Sequence, residues 1–153
     1  MILTNYLYKN YNVMKKVLEV IKFIGLFLWQ LPQNIVALIM LPFLGKLHLV
    51  KYDNYCFAFE GENMKGGISL GSFIFLSPYC AKQRTTVAHE FGHVKDSHKL
   101  GFGYLFVIGI PSICWAAFKP AKKCYYSFYT ERWANENAGL GVDSLCRLYF
   151  LDK

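Results

Sequence analysis

The sequence predicts a small α+β protein, because two hydrophobic periodicities follow one another along its 153 residues. Residues 47–76 alternate apolar and polar side chains over short runs, which is typical of strands. The flanking segments favour helices, and they contain two long uncharged stretches, 23–45 and 100–118. A chain of this length forms one domain with a sizeable core, so we expect residues 1–153 to fold as a single unit.

The composition favours contact with a membrane. Hydrophobic residues make up 54% of the chain and charged residues only 18%. The formal net charge of +7 would also suit nucleic acid, but the basic residues are scattered and no dense basic cluster alternates with aromatic residues. We therefore expect membrane lipid, in particular anionic headgroups, as a partner and no nucleic acid.

The first predicted element is an apolar helical hairpin or bent span at residues 14–45. Its uncharged part, 23–45, covers 23 positions and is long enough to cross a bilayer as a helix. Pro32 lies in the middle between amide side chains, which indicates a kink or a bend. A pair of helices in a soluble core is the remaining alternative.

Residues 46–98 are predicted to form a sheet and the active-site helix. Ser77 is suited to cap that helix and Pro78 to be its first residue, and the helix would run to about His98. Four short runs before it are predicted to be strands of a small antiparallel sheet: 47–52, 55–59, 68–70 and 72–76.

This helix contains an H-E-x-x-H motif at residues 89–93. His89 and His93 are four residues apart and share one helix face, so two imidazoles can bind one metal ion. A third protein ligand would leave one position on zinc for a water, whose pKa the metal lowers to about 7. Glu90 would accept that water's proton. The motif thus predicts a hydrolytic zinc site, and the alternative is a solvated helix with scattered His and Glu residues.

The third ligand has to come from elsewhere in the chain. His98 is five residues past the second histidine and is rotated by about 140° from the ligand face, so we expect a surface histidine. A helix is predicted at 125–137, where Glu131 and Asn135 share a face. An exposed carboxylate paired with a nearby cation is the other interpretation of Glu131, and Glu136 would replace it if the register differed.

The H-E-x-x-H motif followed by Glu131-x-x-Ala134-Asn135 resembles the gluzincin metallopeptidases, especially their membrane-bound branch, whose second helix carries an E-x-x-A-D-like motif. The resemblance implies a zincin-like fold, Zn²⁺ as cofactor, Glu131 as third ligand and Glu90 as general base. It also implies peptide or membrane-protein substrates. The family's aspartate, which orients the first histidine, is Asn135 here, an acceptor without charge.

The ligand set constrains the second apolar run, 100–118. As one helix its 19 residues would be about 28 Å long, close to the thickness of the bilayer core. A full crossing would separate Glu131 from the histidines. We therefore expect a re-entrant or interfacial segment that breaks near Pro111, with Lys99 and Lys119 on the same membrane face.

Residues 125–153 are predicted to hold the third-ligand helix, ended by Gly139 and Gly141, and a short C-terminal helix at 143–149. Five cysteines without a C-x-x-C pair favour reduced thiols, and hence an active site that faces the cytoplasm. They are Cys56, Cys80, Cys114, Cys124 and Cys146.

These features predict a membrane-associated zinc metalloendopeptidase. Its substrate would add as a strand at a sheet edge, and we expect that edge at 72–76. The alternative is a catalytically inactive, membrane-anchored binding or immunity-type module that retains a structural zinc. A third hypothesis is a small membrane protein without metal. Glu90 argues against the second, because a structural site needs no base, and the motif spacing argues against the third. No oligomeric state is predicted.

Overall fold

The computed structural model describes residues 2–118, 120, 124–141 and 146, and for residues 2–9 the backbone only. It has the predicted α+β class. The helices are α1 (Ile2–Trp29), α2 (Leu31–Met40), α3 (Pro78–Lys82), α4 (Arg84–Leu100), α5 (Ile110–Phe118) and α6 (Tyr129–Ala138). The strands are β1 (Leu47–Asp53), β2 (Cys56–Gly61), β3 (Gly67–Leu70) and β4 (Phe73–Leu76). Apart from Cys146, the C-terminal helix expected at 143–149 lies outside the described residues, as does Lys119.

The sheet is mixed and not antiparallel, so this part of the prediction is wrong. Its order is β1-β2-β4-β3, and β2 and β4 run parallel. After β2, the connection at 62–66 leads to β3 at the far edge of the sheet. A tight turn at Gly71 then places β4 between β3 and β2. The expected edge strand, 72–76, is therefore interior. Its apolar run is the sequence signal for that position, since interior strands are buried on both faces.

Two helices cover the two faces of the sheet. On one face, α4 contributes Phe91 and Val94 to a core with β2 and β4. On the other face, α2 contributes Ala37 to a second core that contains Leu70 and Phe75. The H-E-x-x-H motif on α4 is thereby fixed against the sheet.

The helix expected from Pro78 to His98 is interrupted once. Gln83 has an extended backbone (φ −91°, ψ 105°), which separates α3 from α4. The Ser77 hydroxyl caps α3 as predicted, because it accepts a hydrogen bond from the Cys80 N–H at 3.2 Å. The later helix is interrupted similarly, since Phe128 is extended between a 3₁₀ turn, Tyr125–Ser127, and α6.

In the described part of the chain, no single helix has both the length and the apolar composition to cross a bilayer. Two bent pairs meet that criterion together. Asn10–Trp29 and Leu31–Phe43 meet at 84°, and Arg84–Gly103 and Leu105–Phe118 meet at 120°. The first bend lies beside Pro32, as the sequence indicates.

The second bend lies at residues 101–104, after α4 ends, and not at Pro111. Gly101 has φ +51°, and an added Cβ would lie 2.1 Å from the Trp29 ring, so only glycine fits there. Pro111 has no N–H to donate to the Val107 carbonyl four residues earlier. The chain passes this point in a π-helical turn, Leu105–Gly109, and the Tyr129 hydroxyl donates to the Val107 carbonyl at 2.6 Å. Pro111 therefore lies inside a helical segment.

The amides around the first bend attach α1 and α2 to the rest of the protein. Gln30, Gln33 and Asn34 are fully buried. The Gln33 amide donates to the Ser97 hydroxyl at 3.0 Å, and that hydroxyl donates to Gln30 at 2.8 Å. The side-chain oxygen of Asn34, Oδ1, accepts a hydrogen bond from the Ser72 backbone N–H at 2.8 Å. The polar residues within the apolar run thus form a buried junction with α4 and the β3–β4 turn.

The cysteines differ from the sequence expectation. Cys124 and Cys146 form a disulfide, whereas Cys56, Cys80 and Cys114 are free. The two partners are 22 residues apart with no recognisable spacing, so only the fold brings them together. Disulfides persist in oxidising compartments. The cysteines therefore do not support the expectation of reduced thiols and a cytoplasm-facing site.

Candidate metal centre

The site forms where α4 and α6 pack against each other, and Gly92 makes their close approach possible. A Cβ built on Gly92 would lie 1.9 Å from the Ala134 carbonyl oxygen. Gly92, the fourth residue of His89-Glu90-Phe91-Gly92-His93, is therefore a contact point between the two helices. Any larger residue would push α6 away, and with it the downstream ligand.

Gly92→Ala is expected to lower the free energy of unfolding by about 1–3 kcal/mol, because overpacking against backbone cannot be relieved by a rotamer change. It should also weaken metal binding, since it moves Glu131 away from the histidines. Thermal denaturation and a zinc titration measure the two effects. Gly103→Ala is the control, because its Cβ would meet nothing within 4 Å. Equal stability and zinc affinity in the two variants would contradict the packing role.

The two histidines and the downstream glutamate come together in one buried group. The distance from His89 Nε2 to Glu131 Oε2 is 3.1 Å, and that from His93 Nε2 to the same oxygen is 3.6 Å. One ligand atom from each residue lies within 4.8 Å of the others. All three residues are at most 6% exposed. This group could hold a metal ion, since two imidazoles and a carboxylate are a common ligand set for catalytic zinc.

The electrostatics of the group are those of a site that stabilises positive charge. Burial alone would raise the pKa of Glu131, but hydrogen bonds from His89 and His93 outweigh it and hold that pKa well below its usual range. Burial likewise opposes ionisation of His89, and the Glu131 carboxylate outweighs it, so the pKa of His89 is raised.

Asn135 contacts the outer nitrogen of the first histidine. Its Oδ1 lies 2.8 Å from His89 Nδ1, and it accepts a hydrogen bond when that nitrogen carries the proton. This tautomer leaves Nε2 of His89 as the metal-binding nitrogen. Asn135 is fully buried, and its Nδ2 has no hydrogen-bond partner among the described residues.

Asn135→Asp is expected to raise zinc affinity about 10-fold, because a carboxylate accepts the His89 proton more strongly than an amide does. The change also removes a buried donor that lacks a partner. Asn135→Ala should shift the affinity in the opposite direction. Competition with a chromophoric chelator measures both, and unchanged affinity in the two variants would show that Asn135 does not act on His89.

The general-base candidate, Glu90, is held by the edge strand β3. The Ser69 hydroxyl lies 2.6 Å from Glu90 Oε2 and 2.9 Å from the Glu90 backbone carbonyl. A Cβ on Gly67 would lie 2.3 Å from Glu90 Oε1, so a larger residue there would displace the carboxylate. The sequence analysis missed both strand residues. Their spacing of two places them on one face of β3, but that spacing does not show which residue the face contacts.

The other candidate ligands lie outside the group. His98 is partly buried and does not belong to the His89, His93 and Glu131 cluster. Glu136 is the exposed partner of Arg132, at 3.8 Å. Neither residue replaces Glu131.

Two further hydroxyls that the sequence analysis missed contact the glutamate ligand. Ser112 of α5 donates to Glu131 Oε1, and Thr130 Oγ1 lies 3.1 Å from the same oxygen. The Tyr104 hydroxyl, from the start of the apolar segment, donates to the Ser69 carbonyl at 3.2 Å. The segment 104–118 therefore contacts both the third ligand and the strand beside the general base.

Comparisons with known protein families, curated proteins and solved structures find no match to this chain. The gluzincin resemblance accordingly rests on the motif residues alone.

Proposed function

We propose that this protein is a membrane-associated, zincin-like zinc metalloendopeptidase. The observation that carries the proposal is the buried group of His89, His93 and Glu131, with Glu90 next to the first histidine in sequence. His89 and Glu131 are 42 residues apart in sequence, yet His89 Nε2 and Glu131 Oε2 lie 3.1 Å from each other. Zinc is the metal we propose, because the ligand set matches that of catalytic zinc sites.

Zinc bound there would supply an activated water and polarise the scissile carbonyl. Glu90 would accept the proton of that water and deliver it to the leaving amine. The hydrogen bond from Ser69 to Oε2 keeps the carboxylate oriented. Asn135 keeps His89 in the tautomer that binds metal through Nε2.

The substrate would add as an extended strand to β3, which replaces 72–76 as the proposed edge. β3 pairs with β4 on one side, and its residues Gly67 and Ser69 lie against Glu90. Backbone hydrogen bonds to an edge strand bind extended peptides without regard to most side chains. The Tyr104 hydroxyl donates a hydrogen bond to the Ser69 backbone carbonyl. A peptide that paired with this carbonyl would therefore displace the Tyr104 hydroxyl.

Digestion of a peptide library, read by mass spectrometry, tests this function. Cleavage should stop when a chelator removes the metal and return when zinc is added. A protein that binds zinc and cleaves no peptide would instead support an inactive module with a structural zinc.

Membrane association is part of the proposal, and a large set of uncovered apolar side chains supports it. They lie on α1, α2 and the segment 102–118. α1 also carries the exposed residues Lys15, Lys16 and Lys22, which would suit anionic lipid. Examples of the uncovered side chains are Leu18, Ile21, Leu28, Ile39, Phe106 and Phe118.

Cysteines introduced at Lys99 and at Lys119 are expected to react with an impermeant thiol reagent from the same side of sealed vesicles. The 120° bend returns the chain toward Glu131, and ligands of one ion lie about 2 Å from it. Cys114, which is free and exposed, is changed to alanine as the background. Labelling from opposite sides would exclude Glu131 as a ligand within one chain. The side that reacts also identifies the compartment of the site.

A further inference from the structure

The two carboxylate oxygens of Glu131 have different surroundings. Oε2 faces the two histidines, at 3.1 Å and 3.6 Å from their Nε2 atoms. Oε1 faces away from them and accepts hydrogen bonds from Ser112 and Thr130. Because Glu131 is fully buried, water does not compete for either oxygen.

Ser112 belongs to the apolar segment 104–118. It does not belong to α4 or α6, the helices that carry His89, His93 and Glu131, yet its position relative to α6 is fixed. Three contacts join the segment to the chain around the start of α6. The indole N–H of Trp115 donates to the Tyr125 carbonyl at 2.8 Å, and its ring stacks on Phe128 with centroids 4.7 Å apart. The Tyr129 hydroxyl donates to the Val107 carbonyl at 2.6 Å. The hydroxyl of Ser112 is thereby held against Glu131.

A hydrogen bond to one oxygen restricts how a carboxylate can bind a metal. With Oε1 engaged, Glu131 presents Oε2 alone, and the carboxylate cannot rotate to offer both oxygens without breaking that bond. A single-oxygen ligand leaves room on the metal for a water, whereas a two-oxygen ligand would take part of that room.

We infer that Ser112 is a positioning residue, which holds Glu131 as a single-oxygen metal ligand from the apolar segment. The inference rests on the proposed metal centre. It links the segment to that centre, because the position of α5 determines the position of the hydroxyl.

Ser112→Ala tests this role with two measurements that do not depend on hydrolysis. We expect zinc affinity, measured by competition with a chelator, to fall about 10-fold. With Co²⁺ in place of zinc, the visible absorption should weaken and shift, because a second carboxylate oxygen would raise the coordination number. Ser112→Thr restores the hydroxyl and should return the affinity and the spectrum toward wild type.

Cys114→Ala is the matched control, since it changes an exposed residue of the same helix that is free of any disulfide. Wild-type affinity and spectrum in Ser112→Ala would overturn the inference, as would an equal loss in Cys114→Ala. The outcomes also separate the two proposals. If the wild-type protein binds no metal, both fail. If it binds zinc but cleaves no peptide, only the catalytic proposal fails, and the role of Ser112 is still decided by affinity and spectrum.

Discussion

Glu90→Gln is expected to reduce peptide hydrolysis at least about 100-fold while zinc remains bound, because a positioned general base contributes on the order of 10²–10⁴ in rate. Glutamine keeps the shape of the side chain, and its carbonyl oxygen can still accept the hydrogen bond from Ser69, which lies 2.6 Å from Glu90 Oε2. Turnover of a cleaved library peptide and zinc content by mass spectrometry measure the two properties separately.

Glu62→Gln serves as the control for Glu90→Gln, because Glu62 is exposed in the connection between β2 and β3. It should leave both turnover and zinc content unchanged. Wild-type turnover in Glu90→Gln would show that another group takes the proton. Loss of zinc from that variant would show that the carboxylate helps to hold the metal, which the proposed mechanism does not include.

His93→Ala is expected to remove zinc from the purified protein. Two ligands would remain, and two protein ligands rarely hold zinc, which usually takes three in catalytic sites. The loss should also lower the melting temperature, since metal binding stabilises the folded state by mass action. Zinc content and a melting curve with and without added zinc measure these effects.

His48→Ala is the control for His93→Ala, because His48 is an exposed histidine on β1, far along the chain from the motif. It should retain one zinc per chain. Undiminished zinc in His93→Ala would contradict the proposed ligand set. Equal loss from both variants would show that the metal binds histidines without a defined site.

Local spacing made the first half of the site predictable. Residues four apart share a helix face whatever the rest of the chain does, so His89 and His93 could be paired from sequence. Glu131 is different, because its position depends on how closely α6 approaches α4. That approach depends on Gly92, which occupies one of the two unspecified positions of the H-E-x-x-H motif. The resemblance to gluzincins, and not periodicity, selected Glu131.

Strand positions were predictable, whereas strand order was not. A two-residue period identifies a strand but says nothing about its neighbours. The observed order β1-β2-β4-β3 arises because the β3–β4 hairpin is placed with β4 inward. Ser69 reaches Glu90 only in that arrangement, so its role could not be derived from the pattern of β3.

In the apolar run 100–118, too, the local sequence pattern did not predict the tertiary arrangement. Ligand geometry correctly required the chain to turn back, but the expected break at Pro111 was wrong. The turn begins at Gly101, where φ is +51°. The Trp29 ring from another helix lies against this residue and leaves no room for a Cβ. Ser112 contacts Glu131, and Cys124 bonds to Cys146, because the fold brings distant segments together. Local residue spacing does not predict such contacts.

X-ray absorption at the zinc edge of the purified wild-type protein tests the central claim most directly, because it reports which atoms bind the metal. The proposed site predicts one zinc per chain, two imidazoles from His89 and His93, and oxygen from Glu131 and a water, at about 2.0–2.2 Å. Sulfur at about 2.3 Å, or bound zinc without imidazole scattering, would contradict the proposed centre.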